Sequence, residues 1–174
     1  MFTPFHTTRL VYRKARPDDI PFVMAMERHP DNRDFLWQGS LDDHLSELAD
    51  PDQLILMMDD VTSGERVGYA LIRFFRKADV FELRRIALNR KGEGYGTEAM
   101  KALITYAFTQ CGINRFWLDV YPDNIRGIHL YEKLGMHRDG VLRQSDNTDR
   151  GRLDQIIYSL LKSEFDPVKY GCKQ

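Results

Sequence analysis

Cysteine is scarce: the 174 residues hold two, Cys111 inside a helical pattern and Cys172 in a polar tail. That pair is too sparse and too far apart for a disulfide framework and fits a reducing compartment. No apolar run approaches the roughly 20 residues that span a bilayer. Met1 to Ile20 contains no apolar stretch of signal-peptide length. A soluble, cytoplasmic protein without a membrane partner is therefore expected. An excess of one charge is missing too, since 25 Lys and Arg stand against 26 Asp and Glu, and no bulk attraction to nucleic acid follows. The histidines His6, His29, His44, His129 and His137 show no metal-ligand spacing, and Cys111 has no activating neighbour. Neither a metal nor a cysteine nucleophile is expected. Repeats and low-complexity segments are absent. With 43% hydrophobic residues, a chain of this length can bury one sizeable core but hardly two, so 1–174 reads as a single domain. Its core spans about 8–164, followed by a weakly specified tail over 165–174.

What is present alternates between two periods. Leu10 to Lys14 reads as a short strand, and Asp18 caps a helix whose face carries Ile20, Val23 and Met24. Residues 28–39 read as an ordered loop holding Phe35 and Trp37, after which Ser40 with Asp43 opens a second helix. Gln53 to Met58 and Arg66 to Phe75 are strands of a hairpin. In Val80 to Leu88 the apolar residues slip from odd positions (Phe81, Leu83) to even ones (Ile86, Leu88), which predicts a bulge at Arg84-Arg85. Tyr95 to Cys111 carries a helical apolar stripe and stops at Gly112. Arg115 to Tyr121 is a strand buried on its Phe116, Leu118 and Val120 face, and a helix follows over Ile125 to Leu134. Met136 to Arg143 and Arg152 to Leu161 are further strands, joined by a polar loop over 144–151. The order predicts an α/β (α+β) class, with a mixed, mostly antiparallel sheet of about seven strands and helices on both faces.

Lys91-Gly92-Glu93-Gly94-Tyr95-Gly96-Thr97 lies between a strand and the strongest helix. Glycines let the backbone approach an anion, and free N–H groups at a helix start carry about half a positive charge toward it. A diphosphate is the expected ligand. The segment lacks the Lys-Ser or Lys-Thr that ends a Walker A loop. It also has G-x-G-x-G where a Rossmann fingerprint has G-x-G-x-x-G, although Asp119 lies near the distance of a ribose-binding acid.

Three blocks carry a resemblance: Glu82 to Leu88 (ELRRIAL), Lys91 to Met100 (KGEGYGTEAM) and Asn124 to Met136 (NIRGIHLYEKLGM). In this order and spacing they resemble the GNAT N-acetyltransferase superfamily, near its RimJ/RimL-like and polyamine acetyltransferase branches. The resemblance implies a sheet splayed between its fourth and fifth strands and acetyl-CoA as cosubstrate, with no metal. Backbone groups of Ile86, Ala87 and Leu88 would pair with pantetheine. N–H groups over Gly92, Glu93, Gly94, Tyr95, Gly96 and Thr97 would hold the pyrophosphate, with Lys91 standing where the family usually has Arg or Gln. Glu93 would point to solvent. Gly127 replaces the family's usual alanine.

The same resemblance implies direct attack of a primary amine on the thioester. An amine with pKa about 10.4 is neutral in only roughly one molecule in two thousand at pH 7, so its proton must be accepted. Glu82 matches the family's general base, acting through a raised pKa or an ordered water; as a residue alone it would pair with Arg84. A backbone N–H of Ala87 or Leu88 would meet the oxyanion. Tyr131 matches the tyrosine that protonates the departing sulfur. Asn124 would bond the cofactor or a site water, or serve only as a helix cap. Phe35, Trp37, Asp146 and Asp149 lie in loops that border the acceptor in related enzymes. The acceptor would be a small amine, polyamine, aminosugar, antibiotic or peptide amine, with protein N-termini as the alternative to a small amine, and a non-catalytic acetyl-CoA sensor is the rival from another class. A homodimer stays open.

Overall fold

The computed structural model describes residues 2–171; Cys172 lies outside them. In chain order the elements are β1 (Phe5–His6), β2 (Leu10–Lys14), α1 (Ile20–Arg28), α2 (Leu41–Ala49), β3 (Gln53–Asp60), β4 (Arg66–Phe75), β5 (Val80–Leu88), α3 (Tyr95–Gln110), β6 (Arg115–Val120), α4 (Ile125–Leu134), β7 (His137–Thr148) and β8 (Gly151–Leu161). They form an eight-stranded sheet in the order β1-β2-β3-β4-β5-β6-β8-β7. The expected count of about seven is one short because β1, two residues long, carries no readable alternation. The pairing is antiparallel throughout except between β5 and β6.

Helices cover both faces. The stripe of α3, with Ala99, Met100, Leu103, Ile104, Ala107 and Phe108, packs with Phe81, Leu83, Phe116, Leu118 and Tyr158 into the larger core. A smaller core on the opposite face joins Ile20, Val23 and Met26 of α1 to Ile55, Met57, Tyr69, Leu71 and Ala87. Each fully buried large apolar side chain contributes about 1.5–3 kcal/mol. Residues beyond β8 fold back onto this structure, because Phe165 stacks on Phe108 and the buried Tyr170 donates to the Leu134 carbonyl.

The bulge is where the alternation slips. Leu71 of β4 faces Arg85 and Ile72 faces Leu83, so Arg84 is the extra residue. It lets Phe81, Leu83, Ile86 and Leu88 all reach the α3 core while Arg85 and Ala87 face α1 and α2. By the same alternation Glu82 shares the face of Arg85. The parallel pair β5–β6 is short: only Val80, Phe81 and Glu82 find partners, in Arg115, Phe116 and Trp117. Beyond Glu82 the two strands diverge, as the resemblance implied.

Two local expectations need correction. Residues 144–148 belong to β7, and only 149–150 form the turn. Their polar sequence read as a loop because β7 is an exposed edge strand with no apolar face to show alternation. Asp18 does not cap α1: it lies in the tight turn Pro17–Asp19, and Asp19, the residue just before α1, makes no side-chain cap bond to the helix, its Oδ2 instead accepting the Arg16 N–H at 2.9 Å within that turn. Arg13 and Arg66 bond the Asp19 carboxylate and draw it inside. The second start matches: the Ser40 hydroxyl accepts from the Asp43 N–H while the Asp43 carboxylate accepts from the Ser40 N–H.

Candidate active site

Where β5 and β6 part, a cleft of about 1280 Å³ brings Glu82, Ile86, Ala87, Leu88, Lys91, Gly92, Gly94, Gly96, Thr97, Asn124 and Tyr131 onto one surface. On β6 Phe116, Leu118 and Val120 are buried in the core, and Trp117 and Asp119, with Tyr121 just after the strand, are the less buried residues that line the cleft beside them.

Glu82 is 9% exposed. Burial raises its pKa above the ordinary glutamate range; Arg84 opposes the rise and Asp119 adds to it. The Arg84 guanidinium stands 3.9 Å from the carboxylate, which is an ion pair without a hydrogen bond. Among the described residues nothing donates a hydrogen bond to Glu82. Asp119 is a second carboxyl that the sequence reading weighed only for a ribose; burial raises its pKa while Gln155 Nε2, donating at 2.7 Å, opposes the rise. The alternation of β6 was the signal that could have found it. Tyr121 donates to Asp146 at 2.5 Å. Asp146, Phe35 and Trp37 border the cleft, whereas Asp149 sits in the β7–β8 turn away from its lining.

On α4, Tyr131 is 7% exposed. Its hydroxyl has no hydrogen-bond partner among the described residues, and burial, with Asp119 adding, holds the phenol well above its usual pKa. Asn124 is the cap of α4: its Oδ1 accepts the Gly127 N–H at 3.0 Å. A Cβ at position 127 would lie 3.0–3.1 Å from the Asn124 side chain, so glycine leaves that cap its room.

Gly92 and Gly94 take φ of +82° and +80°, and Gly94 is the residue from which α3 starts. The first-turn N–H groups of Tyr95, Gly96 and Thr97 have no intrahelical acceptor. The Tyr95 side chain is core, lying under the Arg9 guanidinium at 3.9 Å and accepting from Arg90 Nη1 at 3.0 Å. Glu93 is exposed and its carbonyl receives Arg9 Nη1 at 2.9 Å. Arg9 could not be placed from sequence, because it acts across more than eighty residues, whereas Arg90 reaches Tyr95 from only five positions away. Lys91 does not stand free: its ammonium donates to Asn32 Oδ1 at 2.5 Å and to the Asp31 carbonyl at 3.2 Å, and burial lowers its pKa while Asp31 opposes that.

Beneath the cleft lies a charged cluster that no motif announced. Arg85, 6% exposed, donates to Glu27 at 2.9 Å and bonds Glu47, with Trp37 across its guanidinium at 4.7 Å. Glu27 also accepts from Tyr69 at 2.7 Å and from the Gly39 N–H at 3.1 Å. His44 lies between Glu27, at 3.1 Å, and Glu47, at 2.8 Å. Burial opposes its charge, but the two carboxylates outweigh that and push its pKa up to about 9.

Helix-start donors without intrahelical acceptors, a tyrosine hydroxyl without a hydrogen-bond partner, a buried carboxylate and a stretch of β5 left without a partner on its β6 side share this one cleft and fit a long thioester carrier with a pyrophosphate. The comparisons agree. The sequence profile of the acetyltransferase (GNAT) family matches residues 15–136. Over 109 residues the chain is 35% identical to N-acetyltransferase p20 of Bacillus licheniformis, covering 63% of this chain and 53% of that protein. Over 78 residues it is 27% identical to N-acetyltransferase YnaD of Bacillus subtilis, covering 45% and 46%. The chain thus spans about half the length of these relatives. The solved spermidine N-acetyltransferase from Vibrio cholerae, in complex with CoA and spermine, superposes with a TM-score of 0.79 at 18% identity over 91% of this chain and 98% of that one, a likeness of fold. A profile match that runs from the end of β2 through the splay and the glycine turn to the end of α4 shows that the chain belongs to the acetyltransferase (GNAT) family.

Proposed function

We propose that this protein is an acetyl-CoA-dependent N-acetyltransferase that moves an acetyl group to a primary amine by direct attack. One observation carries the reading: a single cleft is lined by the glycine turn, by a buried carboxylate that accepts no hydrogen bond and by a tyrosine hydroxyl without a hydrogen-bond partner among the described residues. When bound, acetyl-CoA supplies the activated acetyl thioester. First-turn N–H groups of Gly96 and Thr97 grip the pyrophosphate, and Ile86 to Leu88 align the pantetheine with main-chain bonds. Glu82, its pKa raised by burial, accepts the proton of the attacking amine. The Tyr131 hydroxyl donates to the sulfur; with a thiol near about 8.5 and a tyrosine near about 10, full transfer is uphill by roughly 2 kcal/mol, and more as burial raises the phenol. Asn124 holds the start of α4, and with it Tyr131, in place. The superposed neighbour binds spermine, which supports a polyamine or other small amine as acceptor.

Calorimetric titration with CoA and thiol-release assays over an amine panel test this. Tyr131→Phe should lower kcat by about 100-fold, within the usual range for a proton donor, and leave CoA affinity unchanged. Equal losses in both would make Tyr131 a binding residue. Tight CoA binding without thiol release on any amine would make the protein a sensor.

A further inference from the structure

Segment 30–37 lines the cleft through residues 30–32 and 35–37, and it is tied to both of the diverging strands' sides. On the β5 side Lys91 holds Asn32 and the Asp31 carbonyl, while Asn32 Nδ2 is anchored on the Met26 carbonyl at 2.8 Å. On the other side Arg150, in the turn between β7 and β8, donates to the Asp34 carbonyl at 2.6 Å and to Asp123, just after β6, at 2.5 Å. Its guanidinium lies 5.8 Å from the Phe35 ring and 5.5 Å from the Tyr121 ring, within reach for cation–π attraction. A loop bonded only at its own ends could swing away from the mouth. This one is fastened across the mouth by two cations from opposite sides.

From these contacts we infer that segment 30–37 is a strap over the splay and that Arg150 is a specificity-determining residue, setting through the strap how bulky an amine can enter the cleft. The inference rests on the proposed acetyl transfer for its acceptor side only. Arg150 touches none of the groups that bind the cofactor or move protons, and at 32% side-chain exposure its replacement leaves the core intact. Releasing it frees the strap on the β6–β8 side and widens the mouth without altering the glycine turn.

The test compares wild type with Arg150→Ala and with Asp123→Asn, which removes one anchor of Arg150. Putrescine serves as the slender acceptor and kanamycin as the bulky one, beside CoA calorimetry and trypsin cleavage after Arg33. Wild type is expected to favour putrescine in kcat/KM. Arg150→Ala should narrow that preference about tenfold, the usual scale of a pocket's size discrimination, with unchanged CoA affinity and faster cleavage at Arg33. Asp123→Asn should move both readouts the same way by less. An unchanged preference despite faster cleavage overturns the specificity role, and unchanged cleavage overturns the strap. If wild type acetylates neither amine, the proposed transfer to small amines fails, and the cleavage rates still decide the strap.

Discussion

Glu82 is a glutamate like any other until the chain buries it beside Asp119 and leaves it without a hydrogen-bond donor. A base whose pKa is raised in the folded state loses its working, ionised form sooner as the solution is acidified. The acid limb of kcat/KM should therefore lie above the ordinary carboxylate value of about 4.3. Glu82→Gln should remove that limb and cost roughly 100-fold or more in rate, while Arg84→Gln, which removes an opposing positive charge, should shift the limb to still higher pH. A limb that stays put in both variants would assign it to another group, and pH profiles of the three proteins decide. At this scale the sequence was informative where a residue's neighbours lie within a few positions, as with the Asn124 cap and the Gly94 turn. It was silent where they do not: nothing local marks Asp119 as Glu82's partner or Arg9 as the clamp on Tyr95.

Elements are held together here by a mixture of apolar faces and one buried ionic cluster, and the two differ in legibility. The bulge could be read from β5 alone because a slipped alternation has to be accommodated by an extra residue. The cluster it serves could not, since Glu27 of α1, His44 and Glu47 of α2, Tyr69 of β4 and Arg85 of β5 are brought together only by the fold. His44 faces the two carboxylates, Arg85 bonds both of them and Tyr69 bonds Glu27. Its folded-state pKa of about 9 lies above the unfolded value near 6.5, so its contribution is complete below about 6.5 and is lost as the pH rises through about 9. Thermal unfolding should accordingly show falling stability over that window. His44→Ala should flatten the decline and cost about 3–5 kcal/mol below it, the usual penalty for removing one partner of a buried ion pair. A wild-type curve flat from about pH 6 to about pH 10 would mean that His44 is not charged in the folded protein.

Taken whole, the molecule joins two parts of a sheet through a seam of three residue pairs, backed by the shared α3 core. Most of the architecture was visible in advance because the order of strands and helices is written in local periodicity, and because the splay accompanies a bulge that the pattern betrays. The eighth strand, the full length of β7 and the fastening of 30–37 were not, since each depends on contacts between distant segments or on an edge strand without an apolar face. An open seam also makes a prediction about stability. A ligand that bonds the free side of β5 and the mouth of α3 binds the folded chain alone, and at a free concentration one hundred times its Kd should stabilise it by about 2.7 kcal/mol. For a chain of this length that is roughly 5–10 °C in Tm. Gly94→Glu should remove the whole increment, because it places a side chain and a charge at a φ of +80° where the phosphates would lie. Hydrogen exchange should show the same contrast locally, with CoA slowing the amides of 86–88 and 95–97 in wild type and leaving them unchanged in the variant. Slowing confined to other segments would place the cofactor outside the splay.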